Sequence, residues 1–565
     1  MPLPAEGLDS PEALDHASGA EVGAVAKEVL GITLTESQRA ALAQVTTGRD
    51  TLAVLPTGSG KSAIYQVAGV VLGGLTVVVS PLIALQRDQI RALATRRRNG
   101  RQLDVALLNA TQHVSERSSV IEGLRRGTVD FLLLGPEQLA NPETNAELLA
   151  TVRPVTLMAV DEAHLVSEWG HDFRPEYLRL AETAQALGRP PILALTATAA
   201  PPVQADITRV LGMRNPAVVV ADFDRPNIAL AVRRAHVHQP EEQSIADRTV
   251  EVVLEQDTPA LVYAMSHARC EDISARLRKV AFKAAPYYAG LSAARRAQVQ
   301  QEYFAGALDV VVATSAFGMG IDKPGVRTVV HAGVPASLDE YYQEIGRAGR
   351  DQKPAHAILV YDPRTLRIPR LFAARSRIPT ARVSAVLAAL IASSTPLAVT
   401  ELVQASAVAR PTVQRILAEL EELGFARVAN DTIVTTDTLS TADAEIDDAG
   451  RRRQAVLAAR IDSVRHYAET VNCRRAELLA YFGEAIDPPC DNCDNDAVQR
   501  AGDTAPTSAH GKHDMTGVPV VHRLWGPGTL LTRNEHELLV SFESVGYRHL
   551  SPSALSNGLL AMATT

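Results

Sequence analysis

Leu55-Pro56-Thr57-Gly58-Ser59-Gly60-Lys61-Ser62 follows an apolar run at residues 51–55 and precedes a helical pattern that begins near Ser62. A strand, a glycine-rich turn and a helix in that order form the setting of a phosphate-binding loop. Gly58 and Gly60 let successive backbone N–H groups turn inward toward phosphate oxygens without a Cβ in the way. The helix that follows adds its own unpaired N–H groups and the positive end of its dipole. Thr57, Gly58, Ser59 and Gly60 would line the cradle. Lys61 would reach the outer phosphates of ATP and Ser62 would ligate the bridging magnesium. The general pattern opens on Gly where this chain has Leu55, so the loop alone also reads as a glycine-rich turn with an incidental lysine.

A second stretch decides between these readings. Residues 157–160 are a buried-strand run, and Asp161-Glu162-Ala163-His164 stands at its end. A carboxylate at the tip of a parallel strand gives the magnesium a second anchor, through water. Asp161 suits that role, and Glu162 can polarise the attacking water. The two stretches together predict a nucleoside triphosphatase.

The 565 residues imply several domains, and a hydrophobic fraction of 46% suits packed cores. No apolar run reaches the roughly 18–20 residues needed to span a bilayer. The acidic N-terminal segment does not read as a signal peptide, and four cysteines do not make a disulfide scaffold. The expectation is a soluble, cytoplasmic protein without a membrane partner. A net charge of −8 means that any surface for nucleic acid is local. Arg96-Arg97-Arg98 with Arg101, and Arg451-Arg452-Arg453, are candidates, each of which also reads as a solvated face.

Residues 1–20 read as a disordered tail. Across 21–222, strand-like runs at 51–55, 76–80, 104–108, 131–135, 157–160 and 192–195 alternate with helical patterns. That is an α/β layout with a parallel sheet covered on both faces, whose ligands lie beyond the strands' carboxyl ends. Across 223–362 the pattern repeats without a phosphate loop, at 260–264, 308–313, 328–331 and 357–361. Near its end stands Gln343-Glu344-Ile345-Gly346-Arg347-Ala348-Gly349-Arg350-Asp351. Arg347 and Arg350, three apart on one helical face, can meet a γ-phosphate held by the first domain and stabilise transition-state charge.

Two tandem sheets bearing these loops resemble the twin RecA-like motor of superfamily 2 helicases, and most closely the RecQ family of DNA helicases. The resemblance rests on Val79-Ser80-Pro81-Leu82-Ile83-Ala84-Leu85, Leu195-Thr196-Ala197-Thr198-Ala199 and Phe223-Asp224-Arg225-Pro226-Asn227. In the second half it rests on Tyr288-Ala289-Gly290-Leu291 and on Ala313 through Pro324, which add Gly320 and Asp322 to the nucleotide-binding positions, and the 343–351 stretch adds Gln343 to the catalytic ones. Trp169-Gly170-His171-Asp172-Phe173-Arg174-Pro175-Glu176-Tyr177 is similar to the RecQ loop that couples single-stranded DNA to hydrolysis. Trp169 and Phe173 offer stacking faces there, and Arg174 a phosphate or cation–π contact, with His171 beside them. Two departures stand out. Leu34-Thr35 replace the family's Phe-Arg before the adenine-reading Gln38, and Glu168 replaces a Gln before Trp169.

Residues 363–440 read as a winged-helix-like domain: three helices at 383–392, 399–407 and 411–423, then a hairpin. Glu419, Glu421 and Glu422 on the third helix face only Arg415, which points to packing or protein contact as readily as to DNA. Residues 441–496 read as the RecQ-type zinc subdomain. Cys473, Cys490 and Cys493 repeat the family spacing, and Asp496 falls where the fourth cysteine would be, an acceptable harder zinc ligand. Residues 497–515 read as a polar linker. Residues 516–565 read as a small β-barrel similar to the Tudor-like module of UvrD-type helicases, a candidate dock for a protein partner. The resemblance implies an ATP-dependent DNA helicase moving 3′ to 5′ on single strands and opening tailed duplexes in repair or recombination. An RNA-directed DEAH-type ATPase, or an ATPase adaptor that does not unwind, are the alternatives.

Overall fold

The computed structural model describes residues 19–562 apart from 82, 110–111, 140, 168–176, 178, 237–238, 319–322, 394, 430–431, 437, 503–517, 524, 534–537, 543–545 and 558. Trp169, His171, Phe173, Arg174, Gly320 and Asp322 therefore lie outside the described residues, as does most of the expected tail and linker. The chain is already helical at Gly19–Val25, where Val22 and Val25 bury against the first lobe, and the helix Asp494–Gly502 runs into the stretch read as linker.

The first lobe is a seven-stranded parallel sheet of β1 (Thr51–Val54), β2 (Leu75–Val79), β3 (Val105–Leu108), β4 (Phe131–Leu134), β5 (Val155–Val160), β6 (Ile192–Thr196) and β7 (Ala217–Val220). Their order is β3-β4-β2-β5-β6-β1-β7. Because helices cover both faces, β1, β2, β4 and β6 are buried on every residue and almost wholly apolar, with one threonine each in β1, β2 and β6. The phosphate loop leaves the carboxyl end of β1 and the acidic pair that of β5, on one edge of the sheet.

The second lobe repeats the plan with β8 (Ile228–Arg234), β9 (Ala260–Ala264), β10 (Ala284–Tyr287), β11 (Val310–Ala313), β12 (Thr328–Ala332) and β13 (Ala355–Tyr361), in the order β8-β13-β12-β9-β11-β10. Three lobe strands had no sequence expectation, β7, β8 and β10, and all three are edge strands. An edge strand tolerates polar alternation and proline, as in β7 (Ala-Val-Val-Val with two exposed residues) and in β10, which contains Pro286. Cys270 is an inert core thiol of this lobe, pushed up to about 12 by burial.

The outer edge of β8 is closed by the segment that carries the cysteines. Leu230 N donates to Asn492 O (3.1 Å), Val232 N to Asp494 Oδ2 (2.9 Å) and Arg475 Nη2 to Ile228 O (2.6 Å). The same subdomain grips the chain between the lobes: Phe482 stacks on Phe223 at 4.8 Å, Glu484 accepts from Phe223 N at 2.7 Å, and Arg475 pairs with Asp224 at 2.5 Å.

The winged-helix-like unit forms as expected, with helices Thr380–Ala392, Val399–Ser406 and Arg410–Glu422, and a wing of β14 (Leu397–Ala398), β15 (Ala426–Ala429) and β16 (Thr432–Thr435). Val413, Ile416, Leu417 and Leu420 are buried, as their spacing predicts. The acids of the third helix are engaged inside the protein. Glu419 bonds Arg453, and Glu421 accepts from Val428 N (2.7 Å) and lies 3.7 Å from Arg179 of the first lobe. The partner of Glu419 is one of the three arginines 451–453. Arg451 and Arg452 pair with Asp447 and Asp448 on their own helix, so this run is a bonded face. In the other basic run, Arg101 pairs with Asp130 (2.6 Å) and Arg98 bonds Val70 O.

The long helix Ala442–Glu469 is a spine that packs on helix Leu338–Ile345 of the second lobe and on helices Thr380–Ala392 and Arg410–Glu422. Against it packs a five-stranded antiparallel sheet of β17 (Val518–His522), β18 (Gly526–Arg533), β19 (Leu538–Phe542), β20 (Gly546–Leu550) and β21 (Leu560–Met562). The strands pair in the open order β20-β19-β18-β17-β21, around a core of Val520, Leu530, Leu538, Val540, Phe542 and Leu560. Among the described residues no pairing closes this sheet into a barrel. No helix among the described residues is long and apolar enough to cross a membrane.

Candidate functional site

The phosphate loop is held open by its two glycines and by Gln38. Gly58 (φ 83°) and Gly60 (φ 75°) occupy the left-handed region, and a Cβ on Gly60 would come within 2.9 Å of Gln38 Nε2. That nitrogen donates to Ser59 O (2.8 Å) and Gly60 O (3.1 Å), while Gln38 Oε1 accepts from Thr35 N (2.9 Å). Both ends of the amide expected to read adenine are thus bonded within the protein, bracing the loop. Lys61 Nζ donates to Leu55 O at 3.2 Å. Thr57 Oγ1 and Ser59 Oγ are buried without hydrogen-bond partners among the described residues. Unmet donors at this position fit a polyanion such as a nucleotide's phosphates.

Asp161 and Glu162 face the loop. Asp161 N donates to Val79 O (2.8 Å), which ties the strand tip to β2, and Gln89 Nε2 donates to Asp161 Oδ2 (3.1 Å). The sequence reading missed Gln89 as the partner of this carboxylate; nothing in its helix, Ile83–Ala94, marks it out. Glu162 sits in the left-handed region (φ 50°), uncommon outside glycine and a form of strain found at active sites. His164 Nδ1 lies 2.9 Å from Thr196 Oγ1, which joins the acidic pair to the Leu195–Ala199 stretch at the end of β6.

Burial dominates the electrostatics. It pulls Lys61 below the usual lysine range, while Glu162, Asp161 and Arg350 act on it in lesser degree. It pushes Asp161 up, and it pushes Glu162 up to about 7 against the opposing fields of Lys61 and Arg347. Two adjacent buried carboxyl groups suit a divalent cation such as magnesium, whose charge would favour their ionised forms. A general base works only when ionised, so a base at about 7 loses activity on the acid side. The kcat/KM for ATP should fall with acidification below about pH 7, tenfold per unit at its steepest. A pH–rate profile checks this; a flat profile down to about pH 5 would remove Glu162 as the base.

The second lobe completes the pocket. Helix Leu338–Ile345 ends over the phosphate loop: a Cβ on Gly346 would lie 3.3 Å from Thr57 Cβ, and Arg350 Cγ lies 3.6 Å from the Cβ position of Gly58. Arg347 and Arg350 lie in the turn that follows and not on one helical face as the sequence suggests, because the helix stops at Gly346; Arg347 is 4% exposed, and its Nε has no hydrogen-bond partner among the described residues. Gln343 is buried on the same helix. The zinc-type subdomain buttresses this helix through Tyr481 OH to Asp339 Oδ2 (2.5 Å), Tyr467 OH to Tyr341 OH (3.2 Å) and Phe482 against Tyr342 (4.8 Å).

The three thiols and Asp496 converge as their spacing predicts, with one ligand atom from each within 4.8 Å of the others. Asp496 Oδ2 accepts from Cys490 N (2.8 Å) and Asp491 N (3.1 Å), leaving Oδ1 buried without a partner. Hydrogen bonds from Cys473 and Cys490 hold the Cys493 thiol well below its ordinary range. Crowded sulfurs with one orphaned carboxylate oxygen fit a zinc ion.

The sequence comparisons agree with this layout. Residues 35–207 match the DEAD/DEAH box helicase domain, 245–352 the helicase conserved C-terminal domain, and 433–497 the RecQ zinc-binding domain. These matches support a RecQ-family helicase of superfamily 2. It is 38% identical to the probable ATP-dependent DNA helicase RecS of Bacillus subtilis over 58% of this chain and 64% of that protein. It is 33% identical to the ATP-dependent DNA helicase RecQ of Haemophilus influenzae over 87% of this chain and 65% of that one. The chain thus spans just under two thirds of the length of these relatives. A solved structure of the DUF1998 helicase MrfA bound to DNA shares the fold at 17% identity, with a TM-score of 0.51 over 78% of this chain and 64% of that one. Residues 379–429 match the IclR helix-turn-helix domain, in agreement with the three helices and wing placed ahead of the RecQ-type zinc subdomain.

For the metal cluster, Asp496→Ala removes the oxygen that also caps two backbone N–H groups. Purified wild-type protein should carry about one zinc per chain, and the variant well under half of that, by elemental analysis. Equal zinc in both would exclude Asp496 as a ligand.

Proposed function

We propose that this protein is an ATP-dependent DNA helicase that tracks 3′ to 5′ along single-stranded DNA and opens tailed duplexes. The observation that carries the reading is the split site: phosphate loop and acidic pair on one lobe, Arg347 and Arg350 on the other, already facing each other. Lys61 and the loop N–H groups hold the β- and γ-phosphates of ATP, with Thr57 and Ser59 donating from the loop. Magnesium, held by Ser62 and Asp161, neutralises phosphate charge when bound. Gln38 reads adenine by exchanging one of its internal bonds, so that occupancy of the base site alters the bracing of the loop. Glu162 takes a proton from water as its oxygen attacks the γ-phosphorus and ADP departs. Arg347 and Arg350 stabilise the charge that develops on the transferring group. Their movement with the second lobe converts hydrolysis into opening and closing of the cleft.

Trp169, His171, Phe173 and Arg174 couple DNA occupancy to that cycle. Gly320 and Asp322 complete the nucleotide site from the second lobe. Cys473, Cys490, Cys493 and Asp496 would hold zinc, which would fix the segment that covers β8 and braces the helix leading into Arg347 and Arg350. The C-terminal sheet, taken as a Tudor-like barrel, is a dock for a protein partner, and the cytoplasm is the compartment. Steady-state ATP hydrolysis with single-stranded DNA, set against RNA of the same sequence, tests the reading. Strong stimulation by DNA alone supports it; stimulation that needs the ribose 2′-OH would turn it to RNA.

A further inference from the structure

Residues 363–382 hold six arginines and no lysine, aspartate or glutamate, in a chain whose net charge is −8. Three of the six are neutralised: Arg364 by Asp362, Arg370 by Asp462 and Arg377 by Asp447. Arg367 and Arg375 are exposed and have no acidic partner among the described residues. They lie at either end of the helix Arg367–Arg375, eight residues apart and so on one line of its surface with Leu371. Phe372, one turn before Arg375, is 67% exposed, and Leu371 is 47% exposed. The opposite face, Pro369 and Ala373, is buried, and the helix packs on the long spine helix. An exposed phenylalanine beside two free guanidinium groups is not required by the packing.

We infer that this helix face is a second binding site for single-stranded DNA, outside the cleft between the lobes. It rests on the DNA reading proposed above. Guanidinium groups about two turns apart can each take a phosphate. The Phe372 ring offers a stacking face to an unpaired base, which a duplex, with its bases already stacked, cannot use. The surface continues into the helix-turn-helix unit: Arg415 Nη2 donates to Ser376 O (2.7 Å), and Arg410, Gln414 and Arg415 are exposed on the first half of the third helix. A strand leaving the motor would thus meet a basic, aromatic strip before the helix-turn-helix unit.

The test is fluorescence anisotropy of the full chain on an oligothymidylate and on a blunt duplex, across a salt series. It compares wild type with Phe372→Ala and with the double variant Arg367→Ala/Arg375→Ala, each checked for an unchanged melting temperature. Counterion release predicts that the double variant's log-affinity against log-salt slope on the single strand is shallower by about 1.4, from roughly 0.7 per lost phosphate contact. Phe372→Ala should weaken single-strand binding about tenfold with the slope unchanged. Wild-type affinity in both variants overturns the site. Losses confined to the blunt duplex also overturn it, making the face a duplex contact. Wild-type protein that binds neither probe sinks the DNA reading itself, and this site with it.

Discussion

Glu162→Gln should bind ATP about as well as wild type and hydrolyse it roughly a hundred- to ten-thousand-fold more slowly. The amide keeps the size and hydrogen-bonding reach of the carboxylate but cannot accept the proton of the attacking water. Asp161, the other acid of the pair, is already bonded to Gln89 and to Glu162 N. Lys61→Ala should be as inactive for a different reason. It removes the cation that follows the loop and weakens the field that favours the charged forms of two buried carboxylates, leaving Arg347 to act on Glu162 alone. ATP binding should therefore separate the variants: retained in Glu162→Gln and weakened in Lys61→Ala. Turnover near the wild-type rate in Glu162→Gln would remove this residue from the chemistry.

Arg347→Ala and Arg350→Ala should each lower kcat by about a thousand-fold or more, within the range known for arginines that stabilise a transferring phosphoryl group. The loss should fall on kcat and leave KM for ATP nearly unchanged, since the interaction strengthens as charge develops in the transition state. Lysine should not rescue Arg347, because a point charge lacks the planar fork. Steady-state kinetics at saturating DNA measures both constants. A loss confined to KM would make the arginines ground-state contacts.

The parts of the architecture that are buried on both sides were legible in the sequence. The apolar runs of β1, β2, β4, β5 and β6 have no solvent face to interrupt them, and the phosphate loop and acidic pair stand at their ends. The cysteine spacing likewise brought Asp496 into the metal cluster without sight of the fold. Of the four edge strands, β3 was legible and β7, β8 and β10 were not, because the pattern of an edge strand is set by what covers it. β8 is completed by Asn492 and Asp494, more than two hundred and fifty residues away in the chain. The same holds for side chains whose partners are distant. Gln89 acquires its role only when Asp161 arrives from another strand, and the acids of the third winged helix look unsuited to DNA until Arg453 and Val428 are seen to bind them. Gln38 shows the reverse: its position was expected, yet its amide is turned to the loop.

The most direct measurement is ATP-dependent strand displacement on a 3′-tailed DNA duplex by wild type, with Glu162→Gln as the control. Displacement by wild type and none by the variant is the result that a split, lobe-driven ATPase site predicts. DNA-stimulated hydrolysis without displacement would contradict it, and would make the protein an ATP-driven switch whose output lies in its C-terminal modules.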